Sequence, residues 1–115
     1  MGAGFSAMIE PLVRHRVFSS EEQAARALVQ DYVLRQITML EREVSRKERK
    51  YGMRFDQFAE YLHARSELLE SSQLAPQQQH TLGQAIMQEE DDWLDWKASQ
   101  EMLESWLGIR QEVTP

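Results

Sequence analysis

Residues 19–52 read SSEEQAARALVQDYVLRQITMLEREVSRKERKYG, and this stretch decides the fold. Ser19 followed by Glu22 matches a capping box, in which each side chain accepts a backbone N–H left free at the start of a helix. No glycine or proline follows until Gly52, and glycine readily takes the left-handed conformation that ends many helices. The stretch therefore predicts one uninterrupted helix of about 32 residues, roughly 48 Å long.

One face of this helix carries a narrow apolar stripe. Its members recur at spacings of three, four or their sum, which is the period of an amphipathic helix. They are Val29, Val33, Ile37, Leu40, Val44 and Tyr51, with Leu28 and Tyr32 widening the stripe near its start. A stripe of this kind needs a partner surface to cover it.

Two further helices follow. Residues 55–70 predict a helix about half as long, with an apolar face made by Phe55, Phe58, Tyr61, Leu62, Leu68 and Leu69. Residues 76–107 predict a third, with proline in its first turn and Gly108 as its stop. Its heptad seam contains Leu82, Ile86, Trp93, Trp96, Leu103 and Leu107, with polar Glu89 and Gln100 inside it.

Two long helices flanking a shorter one predict an all-α, coiled-coil-like, up-down-up helical bundle, because short connections favour antiparallel neighbours. We expect residues 1–18 to form an N-terminal arm with a short extended segment, residues 19–108 a single helical domain, and residues 109–115 a C-terminal tail. The short helix cannot cover both long ones. We therefore expect an exposed oligomer interface at Leu28, Val29, Tyr32 and Val33.

The composition is that of a globular chain, with 42% hydrophobic and 28% charged residues among 115. The absence of cysteine excludes disulfides and thiolate metal sites, and no signal-peptide pattern begins the chain, so we expect a cytoplasmic protein. No apolar run approaches the roughly 18 residues that a membrane-spanning helix needs. We expect no membrane association.

Charge divides the chain into two unequal halves. Residues 1–50 carry a formal charge of +2 and residues 51–115 carry −8. Phosphate binding requires cations, so nucleic acid is possible only through the N-terminal half. The segment before the first capped helix, with Arg14, His15 and Arg16, is similar to the strand-then-helix opening of ribbon-helix-helix repressors.

Sites for metals or catalysis are weakly indicated. Glu60 and His63 have the E-x-x-H spacing of di-iron bundles but lack a second such pair, and an exposed histidine is the commoner interpretation. Residues 89–92 with Asp95 are acidic but do not match a calcium-binding loop. The common catalytic and nucleotide-binding motifs do not occur. The sequence predicts a non-enzymatic protein without metal or cofactor.

Three tryptophans within fourteen residues are the most unusual feature of the sequence: Trp93, Trp96 and Trp106. Tryptophans at helical spacing are usually core residues, but tryptophan is also enriched at binding hot spots. Here Asp92 and Asp95 lie beside them, and these carboxylates would attract a basic protein. We therefore expect these five residues to bind a partner.

Two segments carry a family resemblance: residues 50–58, KYGMRFDQF, and residues 89–98, EEDDWLDWKA. They resemble small helical proteins predicted to be antitoxins in bacterial and archaeal toxin–antitoxin operons. Those proteins have a serine where this chain has Arg54, the position that would cap the second helix. The resemblance covers roughly residues 20–107 and implies neutralisation of a cognate protein toxin by direct binding.

Three functions remain open from the sequence. The leading prediction is a protein-binding module, antitoxin-like, that inhibits a cognate protein and forms homo-oligomers. The second is a DNA-binding autoregulator that uses Arg14 and Arg16. The third is a structural coiled-coil adaptor that dimerises.

Overall fold

A computed structural model of the chain describes residues 3–71 and 73–114. It contains four helices, α1 (Ala3–Arg14), α2 (Glu21–Tyr51), α3 (Phe55–Glu70) and α4 (Pro76–Val113). No strand occurs among the described residues, so the all-α prediction is confirmed, although with one helix more than expected. None of the described helices combines the length and hydrophobicity that crossing a membrane requires.

A glutamine side chain in the first turn caps the start of three helices, α2, α3 and α4. At α2, Ser20 Oγ accepts the Gln23 N–H at 3.1 Å, and Gln23 Oε1 accepts the Ser19 N–H at 2.9 Å. The capping residue is therefore Ser20 rather than Ser19. Gln57 Oε1 accepts the Arg54 N–H at 2.9 Å and Gln78 Oε1 accepts the Ala75 N–H at 3.1 Å. Arginine carries hydrogen-bond donors only, so the Arg54 side chain cannot accept a backbone N–H as a capping serine would. At α3 the hydrogen bond to Gln57 is therefore the half of the capping box that remains.

The N-terminal segment differs from the prediction of an extended arm. It forms α1, which contains Pro11. The sequence does carry a signal for this helix, namely the helical spacing of Phe5, Met8, Ile9, Leu12 and Val13. Pro11 and the nearby glycines obscure that signal. Burial of Ile9 stabilises this helix despite the N–H that proline lacks. The likeness to a ribbon-helix-helix opening is therefore wrong, because no strand precedes α2 in the described residues.

Two glycines that look alike in sequence behave differently. Gly52 has φ of +63° and ends α2, as predicted. At Gly108, by contrast, α4 continues to Val113, so residues 109–113 are helical rather than a tail. Ile109 and Val113 are half-buried, and the Val113 carbonyl accepts a hydrogen bond from Gln30 Nε2 at 3.1 Å. These contacts offset the cost of about 1 kcal/mol of a glycine inside a helix.

The chain divides into two compact units. The terminal unit contains the described residues up to Thr38 and from Glu104 onward, and the central unit contains those from Met39 to Leu103. Buried apolar side chains of the terminal unit are Ile9, Ala24, Val33 and Ile37. At its surface, Tyr32 meets Trp106 edge to face, with the ring centroids 5.8 Å apart.

The central unit has an aromatic core. Phe58 and Trp96 are fully buried, with ring centroids 5.4 Å apart, and Val44 and Leu62 complete the buried cluster. Half-buried residues pack around it: Tyr51, Met53, Phe55, Tyr61, Trp93 and Leu103. Residues from α2, α3 and α4 thus meet around Trp96 and bury part of the apolar face that the sequence predicted for each of these helices. Leu68 of α3 remains exposed.

Candidate protein-binding surface

A cluster of charged side chains joins α2 and α4 within the central unit. Asp92 Oδ1 lies 2.8 Å from Lys47 Nζ, and Asp92 Oδ2 lies 2.5 Å from Lys50 Nζ. The Tyr51 hydroxyl also donates a hydrogen bond to Asp92 Oδ2. The side chains of Lys47 and Asp92 are each only 16% exposed. Asp92, predicted to steer a partner, is thus used inside the chain.

Burial and hydrogen bonding oppose each other at this carboxylate. Burial alone would raise the pKa of Asp92, but hydrogen bonds from Lys47, Lys50 and Tyr51 outweigh it and hold that pKa well below its ordinary value. For Tyr51, burial raises the pKa, and the hydrogen bond to the negatively charged Asp92 raises it further. The cluster therefore consists of an ionised carboxylate and a neutral phenol across the neutral pH range.

Glu89 is the second acidic residue that turns inward. It is 8% exposed, and its Oε1 lies 2.8 Å from Arg65 Nη2. The Arg65 guanidinium in turn lies over the Tyr61 ring, 5.0 Å from its centroid. Glu89, which lies inside the predicted heptad seam, is thus paired with the Arg65 guanidinium of α3. A buried carboxylate needs such a partner to offset its loss of hydration.

The three tryptophans occupy three different environments. Trp96 is fully buried in the core, so it is not available to a partner. Trp106 lies in the terminal unit against Tyr32. Trp93 is half-buried, stacks on Phe55 with ring centroids 6.0 Å apart, and lies under Lys97 Nζ at 5.3 Å. Of the predicted anchors, Trp93 is the one in the central unit that remains partly exposed.

A groove of about 320 Å³ lies beside Trp93, between α3 and α4. Its apolar lining comes from Ala59, Leu62, Trp93 and Leu94. His63, Ser66 and Glu90 supply its polar lining. His63 Nε2 is 3.0 Å from Glu67 Oε1 on the same helix, and both side chains are well exposed. The groove is large enough to receive an apolar side chain of a partner.

Next to the groove, α4 has an exposed face that we call the α4 surface. Its apolar members are seven and eight residues apart and are 67%, 57% and 49% exposed: Met87, Leu94 and Met102. Its acidic members are Glu90, Asp91, Asp95 and Glu101. Leu94 belongs to both the groove and this surface. Met87 and Met102 were not among the residues predicted from the sequence, although their spacing from Leu94 is helical and could have indicated them.

The acidic side chains of residues 89–95 thus fall into two groups, one directed into the central unit and one directed to solvent. Glu89 and Asp92 are paired inside the central unit, whereas Glu90, Asp91 and Asp95 are exposed. The Asp95 side chain is 77% exposed and lies 4.0 Å from Lys47 Nζ. Among the described residues, no group of three or more histidine and acidic side chains is arranged to hold a metal ion. His63 pairs with Glu67, not with Glu60.

The terminal unit contains the remaining predicted sites. Leu28, Val29 and Tyr32 are 43%, 48% and 56% exposed, whereas Val33 is buried and does not belong to that surface. Arg14 is exposed and lies 3.3 Å from Glu10, and Arg16 is exposed with φ of +60°.

Comparisons with models of protein families, with characterised proteins and with solved structures found no match to this chain.

Proposed function

We propose that this chain is a non-enzymatic protein-binding module that holds a basic protein partner on the α4 surface. One observation carries the proposal: three exposed apolar side chains lie at helical spacing among exposed carboxylates, beside a groove lined by Trp93. Exposed apolar patches rimmed by polar groups are typical of protein interaction sites. Binding through such a surface would neutralise the partner directly, as an antitoxin does.

We assign this function to residues that differ in part from those predicted from the sequence. Asp95 keeps the steering role expected of it, while Asp92 stabilises the central unit instead. Trp93 keeps the anchoring role, and Leu94 and Met87 replace Trp96 and Trp106. The resemblance to helical antitoxins supports the same kind of partner, because its two segments form the α2–α3 turn with the start of α3, and the middle of α4. We propose that the protein acts in the cytoplasm and without a cofactor.

The product of the neighbouring reading frame provides the test. We expect it to arrest growth when expressed alone, and co-expression of this chain to restore growth. The double variant Met87→Asp with Leu94→Asp should fail to restore growth, because two charges would enter the apolar part of the α4 surface. The control is Leu34→Asp, which changes a leucine of similar exposure in the terminal unit. Restoration of growth by the double variant would refute the proposal.

DNA binding is the second candidate, and exposed Arg14, His15 and Arg16 at the end of α1 favour it. Three adjacent basic or titratable side chains could contact phosphates without a strand. A gel shift with the upstream promoter region tests this candidate. Loss of the shifted band with Arg14→Ala and Arg16→Ala would support it, whereas an unchanged band or no band would exclude these residues as the DNA-binding site.

Self-association is the third candidate, and the exposed Leu28, Val29 and Tyr32 favour it. An adaptor of this kind would use a coiled-coil-like contact, with α2, α3 and α4 in the up-down-up order that short connections favour. Molecular mass measured by light scattering over a range of concentrations tests the idea. A monomer at all concentrations would exclude it, and a dimer that Tyr32→Glu dissociates would support it.

A further inference from the structure

We infer that the occupant of the α4 surface is a basic amphipathic helix that inserts a large apolar side chain into the groove between α3 and α4. This inference rests on the proposed function and names the chemistry of the partner. It assigns a role to features that the sequence did not single out, namely Met87, Leu94, Met102 and the groove. Three observations lead to it.

The first observation is the spacing of the exposed apolar side chains. Met87 and Leu94 are seven residues apart, and Leu94 and Met102 are eight apart on the same continuous helix. At 1.5 Å per residue, these side chains form a stripe of about 22 Å along one face of α4. A second helix packed along this stripe presents its own apolar side chains at the same interval. A loop has no such period.

The second observation is the charge around the stripe. Glu90, Asp91 and Glu101 are exposed and have no ion-pair partner among the residues that the structure describes. Lys97 is the one lysine or arginine between positions 66 and 109, and it lies over the Trp93 ring. Burying carboxylates against a neutral or acidic surface would cost free energy, whereas lysine and arginine compensate them. The partner helix is therefore basic on its flanks.

The third observation is the groove beside the stripe. Its volume of about 320 Å³ lies at the lower end of small-molecule pockets, and its apolar lining includes Ala59, Leu62 and Trp93. Trp93 and the small side chain of Ala59 both line this space. Hot spots of protein interfaces are typically large side chains held in pockets of this kind. Leu94 connects the groove to the stripe, so one helix can engage both.

A designed peptide provides the test. It has about 18 residues, slightly longer than the stripe, with leucine at heptad a and d positions, one phenylalanine among them, and lysine on the flanks. One control peptide replaces every lysine by glutamate, and a second has the same composition without an apolar face. Binding of each labelled peptide to the full chain is measured by fluorescence anisotropy. We expect only the basic amphipathic peptide to bind.

Substitutions locate the binding site. Leu94→Ala should weaken the basic peptide about tenfold or more, since an interface anchor is lost. Leu34→Ala, with nearly the same exposure in the terminal unit, should leave the affinity unchanged. Asp91→Asn with Glu101→Asn should weaken binding severalfold and reduce its dependence on salt. Circular dichroism of each variant checks that the helices remain intact, and these exposed positions should leave them so.

The outcomes are distinguishable. Failure of the basic peptide to bind, or equal binding of the acidic one, would overturn the inference about the partner's chemistry. If Leu94→Ala nevertheless reduced binding of the neighbouring gene product, the proposed function would stand with a different kind of partner. A dimer of the chain that Leu94→Ala dissociates would make a second copy the occupant and would also overturn the inference. Equal affinity of the peptide for the wild type and Leu94→Ala would place the binding site away from the α4 surface and would contradict the inference.

Discussion

The two units of this protein bury their apolar residues by different means. The central unit surrounds the fully buried Trp96 and Phe58 with further aromatic rings, and it adds two inward carboxylates that are each paired with cations. The terminal unit buries four smaller side chains. Both units leave apolar side chains exposed. Those of the terminal unit include Met8, Val17, Leu28, Val29, Tyr32 and Leu34, and those of the central unit include Met39, Leu68, Met87, Leu94 and Met102. Stability is therefore concentrated in the central unit, and the terminal unit should open first.

The largest effect should come from Trp96→Ala. Removing this buried side chain should lower the free energy of unfolding by about 4 kcal/mol, because its core contacts are lost and a cavity remains. Trp106→Ala, a half-buried tryptophan of the terminal unit, should cost about 1–2 kcal/mol. Urea denaturation of both variants gives the comparison. Equal losses would show that the two units are similarly packed.

The next effect should come from Asp92→Asn. The amide keeps the shape of the side chain but leaves largely buried Lys47 with only the more distant, exposed Asp95 as a counterion, and we expect a loss of about 2 kcal/mol. The control is Asp31→Asn, which breaks an exposed pair with Arg35 in the terminal unit and should cost under about 0.5 kcal/mol. A loss for Asp31→Asn as large as for Asp92→Asn would contradict the difference between the units.

The same cluster should make stability depend on pH. The pKa of Asp92 is lower in the folded chain, so its stabilisation is present above the ordinary carboxyl pKa of about 3.9 and is lost as the pH falls below that value. The pKa of Tyr51 is raised, so its contribution is present below about pH 10 and is lost as the pH rises further. Urea denaturation across pH should show the acid loss in the wild type and less of it in Asp92→Asn.

The smallest effect should be a gain at the end of α1. Arg16 has φ of +60°, and the N–H of Val17 donates to the Leu12 carbonyl while that of Arg16 donates to Val13, which is a Schellman cap. Arg16→Gly should stabilise the terminal unit by about 0.5 kcal/mol, since the strain of a left-handed side chain exceeds the entropy cost of glycine. Thermal denaturation measures the gain. A lower melting temperature would show that the arginine side chain contributes more than its strain costs.

Helix bounds show how far local patterns extend. The bounds predicted for the short helix, residues 55–70, are those of α3, because its apolar period and the preceding Gly52 are both local signals. The sequence did not predict α1, which contains Pro11, or the last turn of α4, which follows Gly108. In both places, burial of neighbouring apolar side chains outweighed a residue that normally breaks helices.

The candidate site shows the same limit. The sequence placed Trp93, Asp92 and Asp95 on one helix near a possible partner, but equal spacing along a chain does not reveal which side chains find internal partners. Asp92 was removed from the surface by Lys47, which lies 45 positions earlier in the chain. Met87 and Leu94 became surface residues because nothing in the described chain covers them.

The sequence by itself determined that the chain is helical, where its three longest helices begin, and that the second half is acidic. These properties depend on hydrophobic period, capping residues and charge count, which act over a few positions. Tertiary structure decided which carboxylates turn inward, which tryptophan is core, and which face of α4 is exposed. Those choices depend on contacts between residues far apart in the chain, because burial makes a charge costly unless a distant cation meets it.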